Sequence, residues 1–311
     1  MKSTVLLAAP FALLALSAPA AVLMNEPFSD ADYAAGTVKS NMSKSGTTDT
    51  AGFTADRTWQ ASNTGVVYFH ADGLDFGRWM PGFSGKGLSA GWKAAATGNG
   101  DGARGVYRQL ADGVMPRSGT FYFRCLAMEP VGAKWMSEWH RRVGFQQSGF
   151  NGDGGNDYWS LGYSGFPSTG PHFVFNYKSE TESELLFRYG DCQQTLVDTV
   201  VQGTTYICLA KIEIQGLENG HDRISALAVP VNAWEWSGRN EPAWTFTDGD
   251  PGKTLATTQY YPDKFQLYGA YKTGNVAVAF DEVMLATEIT DVVGPSLPSG
   301  TLILVRWFCR K

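Results

Sequence analysis

The chain has 311 residues, a formal net charge of −5, 36 glycines and 13% aromatic residues. A mildly acidic chain with no basic run is a poor binder of nucleic acid, and its charge does not favour anionic membranes. Abundant glycine and aromatic residues, with only 18% charged residues, are typical of short strands that are joined by glycine turns and packed through wide rings.

The N-terminus has the features of an export signal. Lys2 precedes an apolar segment from Val5 to Leu16, and Ala18-Pro19-Ala20 has the small-x-small form of a cleavage site. The apolar segment is too short to span a bilayer, and no later stretch reaches about 18 apolar residues. We therefore expect a protein that is secreted or at the cell surface, without a transmembrane segment. The expected regions are a signal peptide (1–20), one domain (21–292) and a Pro/Ser linker with a short tail (293–311).

Segments of alternating polarity then follow one another along the chain. Gly119–Pro130 is rich in aromatic and β-prone residues, and Thr204–Ile214 alternates so that Tyr206, Cys208, Ala210, Ile212 and Ile214 share one face. A compact turn at 219–222 joins this segment to 223–231, which predicts a hairpin. Segments 265–271 and 276–286 supply the last two strands. Since no stretch has a sustained helical period, we predict an all-β fold, a two-sheet antiparallel β-sandwich of the jelly-roll type.

The last predicted strand contains a change of parity. Val276, Val278 and Phe280 alternate on even numbers, whereas Val283 and Leu285 alternate on odd numbers, with Asp281 and Glu282 at the step. One extra residue in a strand is a β-bulge. The acids there could bind calcium or a sugar hydroxyl, or they could form a solvated bulge or a salt bridge to a nearby arginine. We favour the structural alternative because bulges are frequent in sandwiches.

The order of these elements resembles a known family. A hairpin, a long loop, the segment Phe265–Ala270 and a final strand reading Phe280-Asp281-Glu282-Val283-Met284-Leu285 are similar to the secreted bacterial proteins with a concanavalin A-like, laminin-G-like jelly roll. The early Asn25-Glu26-Pro27-Phe28 and the strand Gly119–Met128 also resemble their counterparts in that family. The resemblance implies two curved antiparallel sheets and extracellular binding of glycans or proteins. Some relatives bind calcium and others are catalytic.

A glycine-rich loop offers oxygen ligands for a cation. Asp153, Asn156 and Asp157 lie in the segment Phe150–Trp159, and calcium takes 6–8 oxygen ligands. With Asp281, these residues form a candidate calcium site, although the downstream glutamate of an EF-hand is missing and an ordinary turn is the alternative. No cofactor is required by the sequence.

Three tryptophans cluster in the irregular segment from Asn232 to Asp263. Trp234 and Trp236 face one side if the chain is extended there, and Trp244 is near in sequence. Flat rings stack on sugars, and Glu235 and Arg239 could recognise sugar hydroxyls. The alternative is a loop that folds back and uses these rings as a small core of its own.

These residues lead to three hypotheses of function. The first is a non-catalytic, lectin-like protein that binds a polysaccharide or surface glycan through Trp234, Trp236 and Trp244. The second is a structural or adhesive surface protein with the same rings buried. The third is a polysaccharide lyase or glycoside hydrolase, in which Tyr271 or His140 would line a groove beside Arg141.

The four cysteines allow three complete disulfide pairings in an exported protein. Cys192 and Cys208 flank a predicted hairpin, and we expect them to form a pair. Cys125 lies within an apolar strand, where a buried free thiol is common.

Overall fold

The computed structural model describes residues 22–26, 28, 36–37, 42–43, 51–54, 58–61, 67–69, 74, 92–94, 102–135, 140–147, 170–235, 241–257, 261–271 and 278–293. The strands in chain order are β1 (Val22–Glu26), β2 (Gly36–Thr37), β3 (Met42–Ser43), β4 (Thr58–Ala61), β5 (Val67–Phe69), β6 (Trp92–Ala94), β7 (Gly102–Gln109), β8 (Thr120–Met128), β9 (His140–Gln146), β10 (His172–Ser179), β11 (Glu182–Tyr189), β12 (Cys192–Val197), β13 (Thr205–Glu213), β14 (Arg223–Pro230), β15 (Phe246–Gly249), β16 (Lys264–Tyr271) and β17 (Ala279–Ala286). A 3-10 turn, Val231–Ala233, follows β14, and a short helix α1, Ile289–Val293, follows β17.

Two large antiparallel sheets contain most of these strands. One sheet has six strands in the order β1-β17-β8-β13-β14-β15, and the other has eight in the order β12-β11-β10-β9-β16-β7-β4-β3. A small third sheet has the order β2-β5-β6. The predicted two-sheet antiparallel β-sandwich is therefore confirmed. No helix in the described part of the chain is long and apolar enough to cross a membrane.

The main core lies between the two large sheets and is rich in phenylalanine. Phe123 of the six-stranded sheet lies 5.0 Å from Phe145 and 5.1 Å from Phe173 of the eight-stranded sheet, measured between ring centroids. Phe280 on β17 lies 6.0 Å from Phe175 on β10. Edge-to-face and tilted rings at these distances contribute roughly 0.5–1.5 kcal/mol per pair beyond the burial of their area. The alternating residues that we predicted for β13 also belong to this core.

The predicted bulge is present in β17. The pairing of β17 with β8 shifts between Asp281 and Met284, and Glu282 has a φ of +51°. Arg124 of β8 donates from Nε to the Glu282 carbonyl oxygen at 3.0 Å, pairs with the Glu282 carboxylate at 3.3 Å and also donates to the Val292 carbonyl. The expected arginine salt bridge is therefore confirmed, and it is buried. The Arg124 side chain also links the bulge to α1 through the Val292 carbonyl.

Asp281 is held by backbone groups at the same bulge. Its side chain is fully buried, and its two oxygens accept hydrogen bonds from the N–H groups of Leu74 and Glu282, each at 2.9 Å. Burial, reinforced by the charge of Glu282, raises the pKa of Asp281 well above its usual value. These contacts give Asp281 a structural role in the bulge, and its assignment as a calcium ligand stays a prediction.

The structure does not show the predicted pairing of the cysteines. Cys192, Cys208 and Cys125 are all free and buried. Cys192 lies on β12 at the edge of the eight-stranded sheet, whereas Cys208 lies on β13 of the other sheet, directly opposite Cys125 on β8. The predicted pairing of Cys192 with Cys208 is wrong because proximity along the chain does not place the two thiols on neighbouring strands. The prediction of a buried Cys125 thiol is confirmed.

Candidate functional site

The outer face of the eight-stranded sheet, which is directed away from the six-stranded sheet, carries a group of polar side chains at its centre. On β9, Val143 and Phe145 enter the core, so the alternation places Arg142 and Gly144 on the outer face. The strands on either side of β9 are β10 and β16. The same alternation brings His172 of β10 and Gln266 and Tyr268 of β16 to this outer face, since Phe173, Phe265 and Leu267 belong to the core.

The strand register aligns these side chains in two neighbouring rows. In one row, Gly144 lies between His172 and Gln266. In the next row, Arg142 lies between Val174 and Tyr268. Because side chains directly opposite each other on adjacent strands are neighbours, the two rows form one continuous polar cluster across three strands.

Arg142 is the central cation of this cluster. Its guanidinium carbon lies 4.4 Å from the centroid of the Tyr268 ring, and a guanidinium nitrogen donates to the Gln266 side-chain oxygen at 3.3 Å. Stacking on an aromatic ring and hydrogen bonding to a planar amide both fix the orientation of a guanidinium group. Arg142 is thus a positioned donor for a planar anion such as a carboxylate.

His172 is a buried and neutral imidazole. Its Nδ1 lies 2.7 Å from the Gly170 carbonyl oxygen, which can only accept, so Nδ1 carries the hydrogen and Nε2 carries the lone pair. Burial, followed by the charges of Arg142 and Arg188, lowers the pKa of His172 well below 6.5. Among the described residues, nothing forms a hydrogen bond with Nε2. A neutral imidazole whose Nε2 has no partner among the described residues has the lone pair that a general base needs, although this atom is buried.

Because Gly144 has no side chain, the His172 ring can occupy the space above it. A Cβ atom at position 144 would lie 2.7 Å from Cδ2 of His172 and 2.2 Å from the Pro171 carbonyl oxygen. The Pro171 contact, and a third at 2.8 Å to the His172 Cα, involve backbone atoms that cannot easily move, so a side chain at 144 would displace His172. The glycine therefore determines where the histidine lies relative to Arg142.

The cluster is enclosed at its centre and more open at its sides. The exposed fractions are 4% for Arg142, 1% for His172, 1% for Gln266 and 0% for Tyr268. Half-buried cations lie on both sides. Lys264 extends over the Tyr107 ring, with its Nζ 4.0 Å from the centroid, and Arg188 lies opposite His172 on β11. A low-dielectric centre between half-buried cations favours a bound anion, because burial strengthens charge interactions.

The tryptophans predicted to bind glycans lie on the other side of the molecule. Trp234 and Trp244 are half-buried and pack against the apolar cluster on the outer face of the six-stranded sheet. Trp244 donates from Nε1 to the Glu241 carboxylate at 3.0 Å, and Glu235 is exposed. Both rings are half-buried, so they are neither fully exposed, as a glycan-stacking platform requires, nor fully buried, as in a small loop core. Trp236 and Arg239 lie outside the described residues.

The other predicted site residues fall partly outside the described chain. Asp153, Asn156 and Asp157 lie outside the described residues, so the calcium site stays a prediction. The side chains of His140 and Tyr271 are also outside the described part of the chain. Arg141, which was predicted to line a catalytic groove, lies opposite Phe175 on the core side of β9 and is buried near the Trp135 ring.

Local sequence patterns did not single out His172, Arg142, Gln266 or Tyr268. Each strand carries a local signal, because polar residues alternate with aromatic or aliphatic core residues in all three segments. The missing information is the order β10-β9-β16, which places β16 beside β9 although Lys264 follows Gln146 by 118 residues in the chain (264 − 146).

No family model matches the chain, and no curated protein matches it. Among solved structures, the chain is similar to an endo-beta-1,4-glucuronan lyase from the fungus Trichoderma reesei, with 13% identity, a TM-score of 0.44 and coverage of 76% of this chain and 92% of the lyase. A carbohydrate esterase from the Shiga toxin-encoding bacteriophage phi24B has 12% identity, a TM-score of 0.44 and coverage of 86% and 98%. A variant of alginate lyase Aly36B in complex with alginate tetrasaccharide has 11% identity, a TM-score of 0.42 and coverage of 85% and 97%. Similarity at this level does not extend to activity, so the functional argument rests on the chain's own side chains.

Proposed function

We propose that this protein is a polysaccharide lyase that cleaves an acidic, uronate-containing polysaccharide by β-elimination on the outer face of the eight-stranded sheet. The observation that carries the proposal is the neutral His172, whose buried Nε2 has no hydrogen-bond partner among the described residues and lies beside the positioned guanidinium of Arg142. This function replaces non-catalytic binding as the first hypothesis, because the cluster combines a base, a cation and a hydroxyl donor.

The roles follow from the chemistry of elimination. Nε2 of His172 takes the proton from the ring carbon next to the carboxylate, and the electron pair forms a carbon–carbon double bond as the bond to the linking oxygen breaks. Arg142 and Gln266 hold the carboxylate, and Arg142 stabilises the negative charge that develops there. The Tyr268 hydroxyl donates a proton to the leaving oxygen. Each positioned proton transfer typically contributes a factor of about 10²–10⁴ to the rate.

The composition of the central strands supports elimination over hydrolysis. Glycoside hydrolysis ordinarily uses two carboxylic acids on either side of the bond. The strands β9, β10 and β16 contain no aspartate or glutamate at any position. Their positive charge instead favours a substrate that itself carries carboxylates.

A panel of polysaccharides tests this proposal. The wild-type protein should release reducing ends from at least one polyuronate, with a parallel rise in ultraviolet absorbance from the new conjugated double bond. Methyl esterification of the same polymer should reduce the rate, because Arg142 would lose its anionic partner. Reducing ends without the absorbance change would indicate a hydrolase, and the absence of both products would contradict the proposed activity.

The binding function predicted from the tryptophans is the second candidate. The half-exposed rings of Trp234 and Trp244, with the exposed Glu235 beside Trp234, support it. Since these residues pack on the opposite sheet, binding there and elimination at His172 can be tested by separate variants.

A further inference from the structure

Cys125 and Cys208 form a thiol pair at the centre of the six-stranded sheet. They are direct partners in the antiparallel register of β8 and β13. Both side chains are fully buried in the core between the two large sheets, and the Cys125 thiol is hydrogen-bonded to Cys208. The two sulfurs are therefore neighbours within a rigid pair of central strands.

The backbone spacing of this pair fits a disulfide. Opposed residues on antiparallel strands have Cα atoms about 4.5–5.5 Å apart, and disulfides join residues whose Cα atoms are about 4.4–6.8 Å apart. We propose that Cys125 and Cys208 become a cross-strand disulfide when the chain folds in an oxidising environment, and that Cys192 is not part of it. The fully reduced pair is then the form that the protein has in a reducing environment.

The bond forms by exchange with a small-molecule disulfide such as oxidised glutathione. One cysteine thiolate attacks this disulfide and releases one glutathione thiol, leaving a mixed disulfide on the protein. The second cysteine then attacks the mixed disulfide and releases the second glutathione. Two protein thiols are oxidised and one glutathione disulfide is reduced to two thiols, so electrons and protons balance.

Burial determines when this exchange occurs. Both sulfurs have no exposed surface in the folded protein, and burial raises the pKa of Cys125 well above its usual value, which is reinforced by the hydrogen bond to Cys208. A protonated and inaccessible thiol does not attack a disulfide. The bond must therefore form during folding, before the second sheet covers β8 and β13.

Refolding and peptide mapping test this inference. The reduced, denatured chain is refolded with oxidised and reduced glutathione, and the free thiols are then alkylated. Cleavage before aspartate is preferable to trypsin, because trypsin leaves Cys192 and Cys208 on one peptide, whereas cleavage before Asp198 separates them. The expected product is a peptide carrying Cys125 linked to the peptide carrying Cys208. Alkylation of both residues, or a link from either one to Cys192 or Cys309, would overturn the inference.

Two variants keep the interpretation clear. Cys192→Ala should form the same linked peptide, whereas Cys208→Ala should leave Cys125 available for alkylation after denaturation. The oxidised wild type should melt roughly 5–10 °C above the reduced form, because the cross-link closes a loop of about 80 residues in the unfolded chain. Reduced protein that is already folded should resist oxidation by glutathione disulfide. Rapid oxidation of the folded protein would contradict the requirement that the bond forms during folding.

Discussion

Gly144 and His172 lie directly opposite each other on β9 and β10, and the histidine ring fills the space that any side chain at 144 would need. Gly144→Ala should therefore displace His172 and destabilise the fold by roughly 1–3 kcal/mol, as overpacking usually does. Urea denaturation measures the stability, and the elimination assay measures the site. Gly113→Ala is the control, since a Cβ there meets open space although its φ is +80°. Equal loss of elimination activity in both variants would contradict the positioning role of Gly144.

His172 should make the protein sensitive to mild acid. Its pKa in the folded state lies well below 6.5, so the unfolded chain takes up this proton at a higher pH than the folded chain does. The stability contributed by the neutral ring is complete above about pH 6.5 and is lost progressively as the pH falls below that value. The free energy of unfolding should thus decrease from pH 6.5 to pH 5.

The variant His172→Gln isolates this effect. It should show a shallower decrease in stability than the wild type over the same pH interval, because it lacks the buried imidazole. Urea denaturation at several pH values supplies the data. An unchanged slope in His172→Gln would show that the buried imidazole does not govern the acid response.

Arg124 and Glu282 should contribute strongly to stability. Both are buried, and Arg124 also holds two backbone carbonyls of the bulge and of α1. Arg124→Met leaves the Glu282 carboxylate buried without its cation, which typically costs about 3–5 kcal/mol. The exposed pair of Lys178 and Asp198 is the matched comparison, and Lys178→Met should cost far less stability because solvent screens exposed charges. Similar losses in the two variants would contradict the importance of burial.

Much of the fold could be predicted from local patterns. The alternation in Thr204–Ile214 and Phe265–Tyr271 corresponds to β13 and β16, and the parity change at Asp281 and Glu282 corresponds to the bulge in β17. These features depend on a few consecutive residues, because the side chains of a strand alternate between two faces.

The site could not be predicted in the same way, because it depends on which strands are neighbours. The alternation of β9 and β10 assigns Arg142 and His172 to a face, but only the strand order places them beside Tyr268 of β16. The cysteines show the same limit. Cys192 and Cys208 are close in sequence, yet the register pairs Cys208 with Cys125.

The tryptophan hypothesis leads to its own prediction. Trp234→Ala should weaken binding to an insoluble polysaccharide by roughly tenfold if this half-buried ring stacks on a sugar, since such a loss corresponds to about 1.4 kcal/mol. The rate of elimination on a short soluble substrate should be unchanged, because the ring packs on the opposite sheet. A pull-down assay measures the first property. Unaltered binding in the folded variant would leave Trp234 with a packing role alone.

The most direct test of the central claim is the rate at which a polyuronate gains ultraviolet absorbance in the presence of wild type, His172→Gln and Tyr268→Phe. Each variant should lose activity by a factor of about 10²–10⁴ while remaining folded, because each lacks one proton-transfer group. Folding is verified by the urea denaturation midpoint. Wild-type rates in both folded variants would contradict the claim that this face of the eight-stranded sheet carries the reaction.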